Sequence, residues 1–445
     1  MFKLRRTESA VAYKLFALSL VIAASYVAAR TVADSLFLSQ VGSDQLSLVY
    51  VIAGFGTAIV AASWYFLTRK LSVTLSIQMS SFAFAVLTFI AWYYLPSMQT
   101  SFWMLAGIYL LAEVKGCINA INIVSALNTK LGRDASKSTW AFVGIAAPIA
   151  AMVVGGVLAA ESQFLTGRDW LLLIAGSDLI AGAVGLSLSR EKSVKQNIQS
   201  SEAASRLNGF VDARAKRYVC ATEFQKWIGI LVCAKIVVLT IVSFEWKASA
   251  SFYFHGRPEQ LVRYFGIYYS AVGVATIVFQ AALTSRLLRK RNFNIPLLFM
   301  PICITLFAAI FSLGATPLIL LLATTGAKAM DSWRRSVHDT SLNLLYTRIQ
   351  RDRRREVISI NSGIVKPISE VAAASAIYFG ALQFHRPLLM VSILVWLVAA
   401  RNLVELARSV KPATQQPELS ELGLSFTELK SRHELIPDYQ GPKSN

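Results

Sequence analysis

The stretch at residues 363–370, GIVKPISE, places a lysine and a glutamate around a proline inside an otherwise apolar segment. A second stretch at residues 144–151, GIAAPIAA, repeats its glycine, isoleucine and proline but not its charges. Each proline removes a backbone donor from a helix, so Pro148 and Pro367 are predicted hinges at equivalent places of a duplicated fold. Lys366 and Glu370 are what the later copy adds.

The composition around these stretches is that of a membrane protein. Apolar residues make up 55% of the 445, charged residues 16%, and the mean hydropathy is +0.51. A bilayer core about 30 Å thick needs roughly 20 mostly apolar residues for each helical span. The sequence contains about twelve such runs, at about residues 13–38, 46–68, 73–95, 102–128, 138–160, 170–188, 224–252, 263–285, 293–313, 316–343, 357–381 and 386–408.

The positive charges indicate the orientation of these spans. The N-terminus, the connections from even-numbered to odd-numbered spans and the C-terminal tail hold most of the 44 Lys and Arg residues. The opposite connections hold only Arg168, Arg257, Arg263 and Arg386. Cytoplasmic loops are rich in Lys and Arg, so we expect both termini in the cytoplasm, with a bacterial inner membrane as the location. The net charge of +19 then reflects topology, and no nucleic-acid partner is expected.

The longest internal connection divides the chain into two halves of six helices each. We predict an N-terminal bundle at 1–189, a cytoplasmic linker at 190–223, a C-terminal bundle at 224–410 and a polar cytoplasmic tail at 411–445. Parallel halves of this kind are a known transporter plan, in which the substrate binds between them near the bilayer midplane.

Fifteen charged residues lie inside the predicted spans, where each costs roughly 2.5–3.5 kcal/mol at a helix centre. They must pair, line a polar interior or reach an interface. The bases are Arg30, Lys115, Lys235, Lys247, Lys328, Arg334, Arg335 and Lys366, and the acids are Asp34, Glu113, Asp178, Glu245, Asp331, Asp339 and Glu370.

Helical spacing groups some of these charges. Arg30 and Asp34 are four residues apart, as are Lys366 and Glu370, so each pair is either self-neutralising or part of a binding site. In the tenth span a polar stripe is predicted to line an aqueous cavity, with Arg334 and Arg335 alternatively at the interface. The stripe consists of Lys328, Asp331, Arg335, His338 and Asp339.

The fourth and seventh spans each carry charges that point in different directions. Lys115, Asn119 and Asn122 share one face, and Glu113 lies nearly opposite. Glu245 and Lys247 likewise diverge. Two further charges have simpler expectations: Lys235 extends to the cytoplasmic interface, and Asp178 is a structural acid with no charged neighbour on its own helix.

Motifs for enzymatic chemistry are missing from the sequence. It contains no phosphate-binding G-x-x-x-x-G-K-[ST], no G-x-G-x-x-G after a strand and no H-E-x-x-H. The four cysteines, Cys117, Cys220, Cys233 and Cys303, show neither disulfide spacing nor metal-ligand companions. We therefore expect no catalytic residue, no metal and no cofactor, and the protein is predicted not to be an enzyme.

The residues resemble a known family at four places. RTVADSL at residues 30–36 is similar to a first-helix R-D-T-K-D-T-L, and Ala112-Glu113 to a fourth-helix A-E-L-W element. Glu245-Trp-Lys247 is similar to a seventh-helix E-V-T-W-K, and residues 346–367 to a region that ends in G-K. The family is that of the ATP/ADP translocase-like nucleotide transporters of plastids and intracellular bacteria, which is related to the major facilitator fold.

The resemblance implies a major-facilitator-like carrier in which Lys366 and Glu113 act on an anionic nucleotide. Two positions differ from the family pattern: Ala33 stands in place of the first-helix lysine, and Ser243 in place of the seventh-helix glutamate, with Glu245 nearby. A related anion of lower charge, or a substrate that is not a nucleotide, is compatible with the same fold.

The preferred hypothesis is an alternating-access secondary carrier or exchanger for an organic anion such as a nucleotide or another phosphate-bearing metabolite. Internal carboxylates would hold the cations until the substrate arrives. The alternatives are a proton-coupled symporter of a neutral or weakly charged solute, with Asp34, Glu113 or Glu370 carrying the proton, and a non-transporting or lipid-scrambling scaffold. The expected partners are the bilayer and the anion, and the expected state is a monomer. The predicted substrate-binding residues are Arg30, Asp34, Glu113, Lys115, Asn119, Glu245, Lys247, Lys328, Asp331, Lys366 and Glu370.

Overall fold

The fold is built from helices throughout the part of the chain that the structure describes. The computed structural model describes residues 6–68, 71–98, 101–131, 137–189, 214–284, 294–312, 316–346, 349, 357, 360–361, 365–380 and 385–409. Backbone polar groups inside lipid have no water to bond with, so apolar runs of this length satisfy them by forming helices.

The first half contains six helical spans. They are α1 (Arg6–Gln40), α2 (Leu46–Thr68), α3 (Val73–Tyr94), α4 (Phe102–Leu131), α5a (Lys137–Gly144) with α5b (Ala146–Glu161), and α6 (Gly167–Ser189). Helix α1 ends at a tight turn where Gly42 has a φ of 88° and donates its N–H to the carbonyl of Phe37 at 3.3 Å.

The second half repeats this plan. It contains α7 (Arg214–Tyr253), α8 (Pro258–Phe279), α9 (Asn294–Ser312), α10a (Pro317–Trp333) with α10b (Asp339–Tyr346), α11 (Lys366–Phe379) and α12 (His385–Ser409). Two π-helical turns interrupt it, at Gln280–Thr284 after α8 and at Arg334–His338 between α10a and α10b.

Nine helices among the described residues are long and apolar enough to cross a bilayer, judged by length and composition. They are α1 to α4, α5b, α6, α7, α8 and α12, and α9 adds the shorter apolar helix Leu297–Ile310. Helices α10a and α11 are not among the nine, because α10a carries charged residues and the eleventh span is described only in part. The predicted all-α, polytopic membrane fold is confirmed.

Two helix boundaries add detail to the apolar runs of the sequence. The fifth span is broken at Ile145, because Pro148 cannot donate a hydrogen bond to the carbonyl of Gly144. Helix α7 begins at Arg214 and not at 224, because its polar first turns extend the helix beyond its apolar part. The rest of the predicted linker, 190–213, and the predicted tail, 411–445, lie outside the described residues.

Each half has its own set of helix contacts, and a few helices connect the halves. Helix α1 packs against α4, α5b and α6, and α7 packs against α10a, α11 and α12. Between the halves, α5b packs against α8, α2 packs against α11, and α1 contacts both α7 and α8.

The contact between α5b and α8 depends on glycine. A Cβ added at Gly266 would lie 2.7 Å from the carbonyl oxygen of Gly155 and 2.9 Å from the backbone nitrogen of Ala159. Small residues allow such close approach of helix backbones inside a membrane.

Gly266→Ala is therefore expected to lower the stability of the purified protein, because backbone atoms cannot move aside as a flexible side chain can. Overpacking of this kind costs about 1–3 kcal/mol. Thermal unfolding in detergent measures the loss. The matched control is Gly176→Ala on α6, where an added Cβ meets nothing within 4 Å; equal melting temperatures for the two variants would contradict the close contact.

Candidate functional site

A buried ion pair joins the two halves. The Nζ of Lys247 on α7 lies 2.7 Å from Oδ1 of Asp34 on α1 and donates a second bond to the hydroxyl of Tyr109 on α4 at 2.8 Å. Asp34 and Lys247 are each only 1% exposed. This contact ties α1 of the first half to α7 of the second.

Arg30 extends this contact into a network, called the interhalf cluster, that consists of Arg30, Asp34, Tyr109, Glu113 and Lys247. Its Nε lies 3.2 Å from Oδ2 of Asp34, its Nη2 donates to the Tyr109 hydroxyl at 2.8 Å, and its Nη1 donates to Glu113. The two cations and two carboxylates balance. Asp34 thus has one cationic partner from each half, and Arg30 has two carboxylate partners in its own half.

Lys366 and Glu370 on α11 form a looser pair. Their charged atoms are 3.9 Å apart, and their side chains are 53% and 41% exposed. Glu113 on α4 lies within electrostatic range of Lys366, and Arg30 lies within range of Glu370. The α11 pair, on a helix that packs against α2 of the first half, therefore lies near the interhalf cluster.

A third group, called the helix-10 cluster, lies within the second half and consists of Lys235, Lys328, Asp331, Arg334 and Asp339. Arg334 donates from Nε to Asp331 at 2.8 Å and from Nη1 to Asp339 at 2.9 Å. Lys328 approaches Asp331 at 3.3 Å, and Lys235 of α7 approaches Asp339 at 2.9 Å.

This cluster corrects two sequence expectations. The predicted polar stripe assumed a regular helix, but the π-turn adds a residue and shifts the register, so Arg334 joins Asp331 and Asp339. His338 lies against Asp339, with Nδ1 3.3 Å from Oδ1, and also packs edge-on against Trp396. The side chain of Arg335 lies outside the described part. Lys235 does not extend to an interface, because it is buried against Asp339.

The opposite face of α4 serves a different environment. Lys115 is fully buried, with its Nζ 2.6 Å from Asp178 of α6 and 3.1 Å from Ser25 of α1. Asn122, on the same face, donates to Ser80 at 2.8 Å and accepts from Ser76 on α3 at 3.1 Å. Asp178, for which no charged neighbour was expected on its own helix, has its partner on α4.

The structure thus brings together only part of the predicted site. Glu113 joins the cluster between the halves, whereas Lys115 and Asn119 are buried on the face of α4 that packs within the first half. Glu245 is also buried, two residues from Lys247, which points toward α1. Lys328 donates to Ser243 at 2.8 Å, the position at which the family pattern has a glutamate.

Two site residues were missed by the sequence reasoning. Tyr109 bonds both Arg30 and Lys247, and the signal for it was its position four residues before Glu113, on the same helical face. The ring of Tyr50 lies 5.1 Å from the Nζ of Lys247, and no pattern marked that residue. Among the described residues no group of three or more His, Cys, Asp or Glu could hold a metal ion.

The comparisons with known proteins concern one segment of the chain and its fold. The profile of a family described as "TLC ATP/ADP transporter" matches residues 183–320. This segment, which is less than half of the chain, is similar to that family, and the protein is a membrane transporter. The matching profile and the similar solved structures are those of transporters. A search of curated proteins gave no match.

Solved transporter structures show the same fold. A D-xylose-proton symporter superposes with a TM-score of 0.61 at 12% identity, covering 88% of this chain and 96% of the other. The nucleoside transporter NupG (D323A mutant) gives 0.56 at 14%, covering 89% and 99%. A peptide transporter POT in complex with sulfate gives 0.58 at 11%, covering 90% and 94%. The predicted major-facilitator-like fold is confirmed, and at these identities the likeness concerns the fold alone.

The buried position of Lys115 leads to a test of its role. Lys115→Met or Asp178→Leu alone is expected to destabilise the protein by about 3–5 kcal/mol, because each leaves one buried charge without its partner. The double variant is expected to recover most of that loss. Thermal unfolding of the three proteins in detergent measures the coupling; additive losses would contradict the pairing.

Proposed function

We propose that this transporter is an alternating-access secondary carrier or exchanger for an organic anion, most specifically a nucleotide or a related phosphate-bearing metabolite. The observation that carries the proposal is that Arg30 and the partly exposed Glu113 lie within electrostatic range of the exposed Lys366–Glu370 pair. The match to the TLC ATP/ADP transporter profile supports the anionic substrate.

Competition between carboxylates explains how an anion would enter. Glu113 is partly exposed and holds one side of Arg30, while Lys366 is loosely paired. A phosphate between them can replace Glu113 on Arg30 and Glu370 on Lys366. Because charge interactions are stronger at low effective dielectric than in water, the two cations favour an anion there more than on an exposed surface.

Several contacts between the halves lie at one end of the bundle. We call the end of the bundle at which α1 and α7 end the distal end. The Lys247–Asp34 pair lies there, together with a hydrogen bond of 3.4 Å from Ser251 to the Leu38 carbonyl and the approach of Gly256 to Ser39. These contacts join the two halves, so the distal end must open for the substrate to cross.

The charge arrangement limits the cost of that opening. When α7 moves away, Asp34 loses Lys247 but keeps Arg30, so no buried carboxylate is left unpaired. Lys247 then becomes a cation at the distal opening. The substrate would meet Lys366 from one side and Lys247 from the other.

The membrane orientation follows from the basic loops. We propose that both termini are cytoplasmic, in a bacterial inner membrane, so that the end opposite the distal end faces the cytoplasm. One chain supplies both halves and all of the proposed contacts, so a monomer is sufficient.

Uptake into proteoliposomes tests the substrate class. The panel consists of labelled nucleotides, other organic anions and sugars, with and without a pH gradient, and with and without internal anion. The proposal expects anion uptake that internal anion accelerates and that needs no pH gradient. Uptake of a neutral solute that requires the gradient would replace the proposal with a proton symporter, and no uptake under any condition would reject a carrier.

Lys366→Gln is expected to abolish anion uptake, because the only well-exposed cation of the proposed site is lost, and Lys366→Arg is expected to retain part of it. The matched control is Arg401→Gln, which removes an exposed cation that pairs with Glu405 on α12 at 3.0 Å. Initial rates at equal protein incorporation measure the effect. Unchanged kinetics in Lys366→Gln would remove this residue from the site.

A further inference from the structure

The π-turn at Arg334–His338 interrupts the tenth span at the depth of its ion pairs. Such turns are rare, and they are frequent at functional sites. Here the turn lies between two acids that Arg334 contacts, Asp331 in the last turn of α10a and Asp339 at the start of α10b. Arg334 therefore connects α10a, which precedes the turn, to α10b, which follows it.

Both acids have a second cationic partner. Asp331 is also approached by Lys328 at 3.3 Å, and Asp339 by Lys235 at 2.9 Å. If Arg334 moved to another anion, Asp331 would keep Lys328, and Asp339 would keep Lys235. Arg334 can thus change partner without leaving either carboxylate unpaired, which would be the costly outcome.

Arg334 is also accessible and correctly placed. Its side chain is 24% exposed, and that of Asp339 is 31% exposed. Glu370 lies within electrostatic range of Arg334, and Lys235 lies within range of Lys366. The helix-10 cluster therefore lies near the α11 pair, which is itself within electrostatic range of Arg30 and Glu113.

We propose that Arg334 is a second anion subsite, which binds the outer phosphate of a substrate that carries at least two linked phosphate groups. This inference rests on the proposed function, in which the first anionic group lies between Arg30 and Lys366. A planar guanidinium donates two parallel hydrogen bonds to a phosphate, so it replaces two carboxylate contacts with two phosphate contacts. A ligand with one phosphate would reach only the first position.

Binding at Arg334 would change the contacts within the tenth span. Once Arg334 turns to the ligand, the bonds from its guanidinium no longer tie Asp331 to Asp339 across the π-turn. Helix α10b is then no longer held to α10a by Arg334. Binding of a ligand with two phosphates would loosen the second half, and binding of a single phosphate would not.

The test is calorimetric titration of the purified full-length transporter with four probes: inorganic phosphate, pyrophosphate, AMP and ADP. Wild type is expected to bind pyrophosphate and ADP at least about tenfold more tightly than phosphate and AMP, because one charge-assisted contact is added. Arg334→Gln is expected to lose that preference while keeping its affinity for the single-phosphate probes. Arg334→Lys is expected to recover only part of it.

A variant that is expected to gain affinity excludes misfolding as the cause of the changes. Asp331→Asn removes one competitor of Arg334, so this variant is expected to bind ADP several-fold more tightly and AMP unchanged. Equal losses for both probe types in Arg334→Gln, or no gain in Asp331→Asn, would overturn the subsite. Lys366→Gln separates the two proposals, because it should weaken all four probes. If wild type binds none of them, the proposed function fails, and the subsite fails with it.

Discussion

The interior of this transporter depends on carboxylates that are each shared by two cations. Asp34 is held by Arg30 and Lys247, Asp331 by Lys328 and Arg334, and Asp339 by Lys235 and Arg334. A charge inside a membrane is tolerated only while it is paired. If every buried carboxylate had a single cationic partner, any rearrangement would leave an unpaired buried charge at a high free-energy cost. Sharing removes that restriction, because one cation can leave and the acid remains neutralised.

The shared acids are placed where movement is needed. Asp34 lies where α1 of the first half meets α7 of the second, so its two partners belong to different halves. Asp331 and Asp339 lie on either side of the π-turn in the tenth span. By contrast, the Lys115–Asp178 pair is enclosed among α1, α4 and α6. The shared acids suit contacts that rearrange during transport, and the enclosed Lys115–Asp178 pair suits a contact that stays in place.

Much of the fold could be predicted from the sequence, because apolar length and loop charge are local properties. The i, i+4 spacing of Arg30 and Asp34 was also local, and the structure contains that pair. The partner of Asp34 on α7 could not be predicted, since it depends on how two helices separated by more than 200 residues align. The role of Arg334 was missed for a related reason: an irregular turn changes the register that the periodicity assumed. For Asp178, the missing partner was on another helix.

The central claim is that an anion binds in a hydrated space between the halves, against Arg30 and Lys366. Cys117 on α4 is a native reporter of that space, because its thiol is partly exposed and lies within electrostatic range of Lys366, Glu370 and Glu113. The most direct measurement is the rate at which a water-soluble, anionic thiol reagent modifies Cys117 in a variant whose other cysteines are replaced by serine. The account predicts modification that nucleotide or another transported anion slows several-fold; a thiol that never reacts, or one whose rate no anion changes, would contradict it.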